Sequence, residues 1–268
     1  MISKLSYSGR VKAARWGILL AFLVFFEVYG RFFADPAFLQ PPSAIVAALF
    51  DKIFANPQAV SAVLTAVFEI GTAYALAIVV GVFLGVVIGA TDFARESFFP
   101  IVLLLYAIPQ VTLMPLVILV FGLGPPAKIA FGFSHGVFPV IVNVVAGMRG
   151  VNELYLRSAR SMGASRADIL RHVILPHIVP SLFTGLRLAM TLTLLGVILA
   201  ELYVSTAGIG YFARLFAENY SPAPLFALIG TLAAIALCFN FVVRLAERAL
   251  TPGKRRAATV PVSGVKAI

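Results

Sequence analysis

The sequence predicts an all-α bundle of six membrane-spanning helices. Of its 268 residues, 61% are hydrophobic and only 12% are charged, where a soluble globular domain carries roughly 25% charged residues. The apolar residues also fall in long runs, at 16–33, 60–90, 98–121, 129–148, 182–204 and 225–245. Each run is near the ~20 residues that ~30 Å of hydrocarbon requires of a helix. None alternates apolar and polar residues in the manner of an outer-membrane barrel, so the backbone polar groups must be satisfied inside helices.

The first run has the basic flank of a secretory leader (Lys4, Arg10, Lys12, Arg15) but ends at Arg31-Phe32-Phe33-Ala34-Asp35 with no small-residue cleavage site. It is read as an uncleaved anchor. After it, Pro41-Pro42-Ser43 leads into apolar pairs at Ile45/Val46, Leu49/Phe50 and Ile53/Phe54. That spacing predicts an interfacial helix, with Ser43 as its N-cap and Asn56-Pro57 as its stop.

Gly81, Gly85 and Gly89 form a continuous small-residue row on the second span, which lets another helix backbone approach closely. In the third span Pro109 and Pro115 interrupt the helix near mid-membrane, with Gln110 beside the first proline. Ionisable residues within spans are Glu27, Glu69, Arg187, Glu201 and Arg244. Glu27 is the deepest, and the other four lie close enough to a membrane surface to snorkel.

Lysine and arginine counts orient the chain. Lys4, Arg10, Lys12 and Arg15 precede the first span, Arg95 lies in a turn, and Arg149, Arg157, Arg160, Arg166 and Arg171 lie in the 149–180 hairpin. Arg248, Lys254, Arg255, Arg256 and Lys266 follow the last span, a total of fifteen against four (Arg31, Lys52, Lys128, Arg214) on the other side. Both termini and the hairpin are therefore expected in the cytoplasm, where a face carrying most of the net charge of +10 meets anionic lipid. Cys238 is the only cysteine, so no internal disulfide exists.

The hairpin reads as helix, tight turn, helix. Asn152 caps a helix to about Met162, Gly163 ends it in a left-handed C-cap, and Ser165-Arg166-Ala167-Asp168 has the form of a capping box. Ile169, Leu170, Val173 and Ile174 give the second helix an apolar face before Pro176 stops it. The flanking spans hold this unit against the membrane, which excludes nucleic acid as its partner. Its small residues offer a knob for a groove on a soluble protein.

Arg157-Ser158-Ala159, three further residues and Gly163, then nine residues to Val173-x-Leu175-Pro176, resemble the EAA loop of ABC importer permeases. The resemblance continues through Phe138-Pro139, Asn143, Gly147, Arg149-Gly150, Gly163-Ala164-Ser165, Gly185-Leu186-Arg187, Ala200-Glu201 and Gly208-Ile209-Gly210, covering about Pro41 to Arg248. The proline-containing stretch from Pro109 to Gly124 is similar to the branch handling nitrate, taurine and aliphatic sulfonates. Two positions depart from the pattern. Arg157-Ser158 stands where the family has Glu-Ala, reversing one charge, and Glu69 stands where that branch has a basic residue.

The resemblance implies a type I ABC importer transmembrane domain over 16–248, flanked by a cytoplasmic tail at 1–15 and a basic tail at 249–268. Arg157, Ser158, Ala159, Gly163, Ala164, Ser165, Val173, Leu175 and Pro176 would form the coupling helix that enters a cleft of a cytoplasmic ATPase. It further implies a second permease copy, two ATPase subunits and a periplasmic or lipid-anchored solute-binding protein, in the bacterial inner membrane. Pro109, Gln110 and Asn143 are the candidates for the pathway of a small, anionic organic solute such as a sulfonate, taurine or nitrate.

No cofactor is expected in this chain, because its one Gly-Lys pair, Gly253-Lys254, is followed by arginine and lacks the P-loop glycine; ATP and magnesium belong to the partner. His135, His172 and His177 form no ligand cluster and no nucleophile–base pair is visible, so neither a metal site nor an enzyme is expected. The competing class is an ion-coupled secondary transporter, which Glu27, Pro109 and Gln110 would serve.

Overall fold

The computed structural model describes residues 7–204 and 208–250, and every regular element among them is helical. In order these are α1 (Tyr7–Phe32), α2 (Pro42–Ala48) running into a π-turn (Leu49–Phe54), α3 (Pro57–Gly89), α4 (Asp92–Ala107), a 3-10 turn (Gln110–Leu113) and α5 (Met114–Phe121). Then come α6 (Pro125–Arg149), α7 (Glu153–Ser161), α8 (Arg166–Ile169) with a π-turn (Leu170–Ile174), α9 (Leu175–Val204), α10 (Ile209–Glu218) and α11 (Pro222–Leu250).

Four helical stretches among the described residues are long and apolar enough to cross a membrane: 57–89, 125–149, 166–203 and 222–250. The expected third span is broken, α4 meeting the 110–121 segment at 85°. Of the six expected spans, four are thus met by single helical stretches and a fifth by the bent pair. The first run forms the helix α1, whose stretch 13–30 carries only Arg15 and Glu27 as charged residues, although α1 is not among these four.

Pro109 makes the break, and the turn then satisfies itself. The Pro109 carbonyl accepts from Thr112 N at 2.9 Å and from Thr112 Oγ1 at 2.6 Å. Pro115, expected to interrupt as well, instead lies in the first turn of α5, where a missing N–H costs nothing.

The described residues divide into two compact units: those up to Val67 with those of 201–234, and Phe68–Ala200 with those from Ile235 to Leu250. In the first unit Glu27 is committed to bonds within its own neighbourhood. Its Oε1 accepts from Arg31 Nη2 at 2.6 Å and from Ser43 Oγ at 2.7 Å, and its Oε2 accepts from Ser43 N at 3.0 Å. Ser43 is therefore not the N-cap of α2; Pro41 holds that position without a side-chain bond, and Glu27 satisfies the Ser43 amide from α1. Asn56-Pro57 ends the π-turn but also opens α3, since Asn56 Oδ1 accepts from Gln58 N at 3.0 Å.

In the second unit α6 packs against both α3 and α9. Ideal Cβ atoms built at Gly81 and Gly85 would lie 2.7 Å from Val140 Cβ and Val144 Cβ, and one at Gly89 would lie 2.5 Å from Met148 Sδ. Each glycine accepts the side chain one turn further along α6, so the row seats a contact within one chain. On the adjoining face of α6, a Cβ at Gly185 of α9 would lie 2.7 Å from Asn143 Cβ. Tyr74 Oη donates to Leu186 O at 3.0 Å and Ser181 Oγ to Asn143 O at 2.6 Å, tying α3 to α9 and α9 to α6. In lipid no hydrophobic gain drives helices together, so such close backbone approach and interhelical hydrogen bonds supply the association. Ala77, Ile88, Val102, Val137, Ile141 and Val145 fill the core between α3, α4 and α6.

Candidate functional site

The hairpin between α6 and α9 is built from local signals. Asn152 Oδ1 accepts from Leu154 N at 2.9 Å and starts α7. At its other end Ala164 N donates to Ala159 O at 3.0 Å and Gly163 N to Arg160 O at 2.9 Å, the paired bonds of a Schellman motif with Gly163 at φ +80°. The capping box follows: Asp168 N donates to Ser165 Oγ at 3.2 Å and Ser165 N to Asp168 Oδ2 at 3.1 Å.

One expectation fails here. Pro176 does not stop the second helix, which runs unbroken from α8 through the π-turn into α9 and passes both Pro176 and Pro180. The wider i→i+5 turn over Leu170–Ile174 ends two residues before Pro176, and that local departure from the i→i−4 ladder accommodates a residue without an N–H.

Val151, Ala159, Ile169 and Ile178 are buried and seat the hairpin. Among exposed polar residues such as Arg157 and Ser158, three large apolar side chains also face outward: Leu154 is 64% and Tyr155 58% exposed on α7, and Met162 81% exposed at its C-cap. Beside them a cavity of about 500 Å³ is lined by Tyr155, Ser158, Met162, His172, Val173 and Pro176 among others. Of the sequence candidates, Arg157, Ser158, Gly163, Ser165, Leu175 and Pro176 are exposed, Ala164 and Val173 are half-buried, and Ala159 is buried. Arg157 pairs with Glu153 at 2.5 Å one turn earlier on α7, so the charge reversal at 157 comes with its own counterion.

Gln110 and Asn143 occupy different settings. Gln110 Oε1 accepts from Ser134 Oγ of α6 at 2.9 Å, while its amide nitrogen has no partner among the described residues. Asn143 turns back on its own helix and donates to Pro139 O at 2.9 Å.

Two carboxylates expected at the surface are buried instead. Glu69 is fully buried, and Lys128 Nζ lies 2.7 Å from its Oε1. The sequence places Lys128 at a loop border, although its position directly against the fourth apolar run, with an unmatched acid early in the second, was the available signal. Glu201 is also fully buried; its Oε2 accepts from Gly210 N at 2.7 Å in the first turn of α10. A Cβ at Gly210 would lie 2.5 Å from Glu201 Cβ, which explains why glycine follows this glutamate at that spacing. Arg187 pairs with Glu247 at 3.0 Å, and Arg244 is exposed.

Residues 77–252, more than half the chain, match the family model described as a binding-protein-dependent transport system inner membrane component. The chain belongs to this family. The permease is 31% identical over 227 residues to the taurine transport system permease protein TauC of Escherichia coli (strain K12), covering 81% of each chain. It is 26% identical over 241 residues to the formylaminopyrimidine transport permease protein ThiX of Halalkalibacterium halodurans, covering 88% of this chain and 94% of that one. Among solved structures, an inward-facing MetNI methionine ABC transporter shares its fold at a TM-score of 0.63 and 18% identity, over 72% of this chain and 95% of that one. The protein is thus an ABC importer permease, and the ion-coupled carrier is set aside.

Proposed function

We propose that two copies of the permease form the pathway of an inner-membrane importer whose energy comes from two separate ATPase subunits docked on α7. The exposed apolar side chains of Leu154, Tyr155 and Met162 beside the α7–α9 cavity support this reading, because such side chains outside the spans need a protein partner. ATP and magnesium are then held by the partner, and this chain catalyses nothing. Closure of the ATPase pair would move α7 and shift the bundle between inward-open and outward-open states. Both termini and the hairpin lie in the cytoplasm in this reading, and a loaded external binding protein delivers solute to the opposite face.

The solute is a small oxyanion of the sulfonate, taurine or nitrate class. The taurine and nitrate relatives support this choice over the formylaminopyrimidine one, as does Gln110, whose amide nitrogen, without a partner among the described residues, can donate to an anion beside the break. Asn143 is the weaker pathway candidate, its side-chain nitrogen being already bonded to its own helix. Reconstitution with the ATPase and binding protein encoded alongside tests the proposal. Taurine uptake should require ATP on the hairpin side and binding protein on the other; uptake driven by an ion gradient without ATP would contradict it.

A further inference from the structure

A basic cleft lies on the flank of α7 away from the docking cavity. One cavity of about 500 Å³ opens between the α3–α4 turn, the end of α6 and α7, and its walls hold Arg95, Arg149, Arg157 and Arg160 with Asp92 and Glu153. The acids are already engaged, Asp92 by Arg95 and Glu153 by Arg157. Arg149 and Arg160 have no carboxylate partner among the described residues. A second cavity of about 600 Å³ adjoins the first and shares Arg160 with it; it adds Arg166, equally without a carboxylate partner, and an apolar wall of Met148, Ile169, Leu170 and Ile174. Three uncompensated guanidiniums therefore surround a space that is apolar on one side.

The cleft also sits where lipid headgroups lie. Gly89 and Met148, at the ends of the spanning helices α3 and α6, form part of its wall, and the lysine and arginine count places this end in the cytoplasmic leaflet. We propose that the adjoining cavities hold one anionic phospholipid, its phosphate on Arg149, Arg160 and Arg166 and its glycerol and upper chains against Met148, Ile169, Leu170 and Ile174. Guanidinium forks match phosphate oxygens bidentately. A free phosphate makes no use of the apolar wall, and a zwitterionic lipid brings a cation into a cleft already in positive excess. The placement relies on the orientation given above, but binding itself does not depend on ATPase docking or solute.

The experiment is native mass spectrometry of the purified full-length permease with whatever subunits copurify, delipidated and titrated with phosphatidylglycerol or phosphatidylcholine. Phosphatidylglycerol should bind in preference, and a large excess of inorganic phosphate should not displace it. Arg149→Gln with Arg166→Gln should weaken its binding roughly 25-fold, about fivefold for each arginine near an anionic headgroup, and leave phosphatidylcholine binding unchanged. Arg160→Gln alone, a milder change, should weaken it about fivefold. Equal binding of the two lipids, or variants that hold phosphatidylglycerol like the wild type, would overturn the proposal. Displacement by inorganic phosphate would also overturn it, by assigning the cleft to a free anion. The spectra report ATPase subunits separately, so failure here is distinct from failure of the docking reading.

Discussion

Lys128→Met is expected to destabilise the folded permease by about 3–5 kcal/mol, the cost of stranding a buried charge. Glu69 is fully buried, and apart from the ion pair with Lys128 its two carboxylate oxygens make no hydrogen bond among the described residues. An exposed pair would be worth roughly 0–1 kcal/mol, so burial decides the magnitude. Adding Glu69→Gln to Lys128→Met removes the stranded charge and should recover most of the loss. Thermal unfolding of the three proteins in one detergent measures this. A single variant as stable as the wild type would mean that the pair does not hold the carboxylate charge in place.

Gly85→Leu is expected to be nearly as damaging. Its Cβ alone would lie 2.7 Å from Val144 Cβ and 3.3 Å from the Ile141 carbonyl, and the backbone cannot yield as a flexible side chain can. Overpacking of this kind costs typically ~1–3 kcal/mol, and leucine adds three more carbons to the same space. The cause can be isolated with a smaller step: Gly85→Ala should lower the unfolding temperature, and Val144→Ala in the same chain should restore part of it. If Gly85→Leu unfolds like the wild type, α3 and α6 do not meet along this row.

What the sequence disclosed follows from the range of each interaction. Asn152, Gly163 and the Ser165–Asp168 box act within four residues, so the start, turn and restart of the hairpin are legible in the chain itself. The break at Pro109 is legible for the same reason, because proline removes its own N–H wherever it stands. Partners distant in sequence are not. Ser43 looks like a cap because nothing local announces that Glu27, sixteen residues earlier, satisfies its amide. Glu69 looks like a surface residue because Lys128 is brought to it only by the packing of α3 on α6. The stop expected at Pro176 fails because a π-turn, which no simple residue pattern marks, lets the chain continue as helix. Gly81, Gly85 and Gly89 declare a close contact, but only the folded chain names Val140, Val144 and Met148 as the other side of it.

An ATPase docked on the hairpin should be lost on Gly163→Asp. Gly163 sits at φ +80°, where any side chain carries backbone strain, but a Cβ there would meet nothing within 4 Å, so the added atoms start in open space. Aspartate also tolerates the left-handed region better than most residues, which lets the variant fold while placing a charge and added bulk on the exposed turn. The measurement is co-purification of the tagged permease with the ATPase encoded beside it, wild type against variant. The wild type should capture a P-loop ATPase, and the variant should insert in equal amount without it. Equal capture by both, or no ATPase with the wild type under conditions that preserve known transporter complexes, would contradict it.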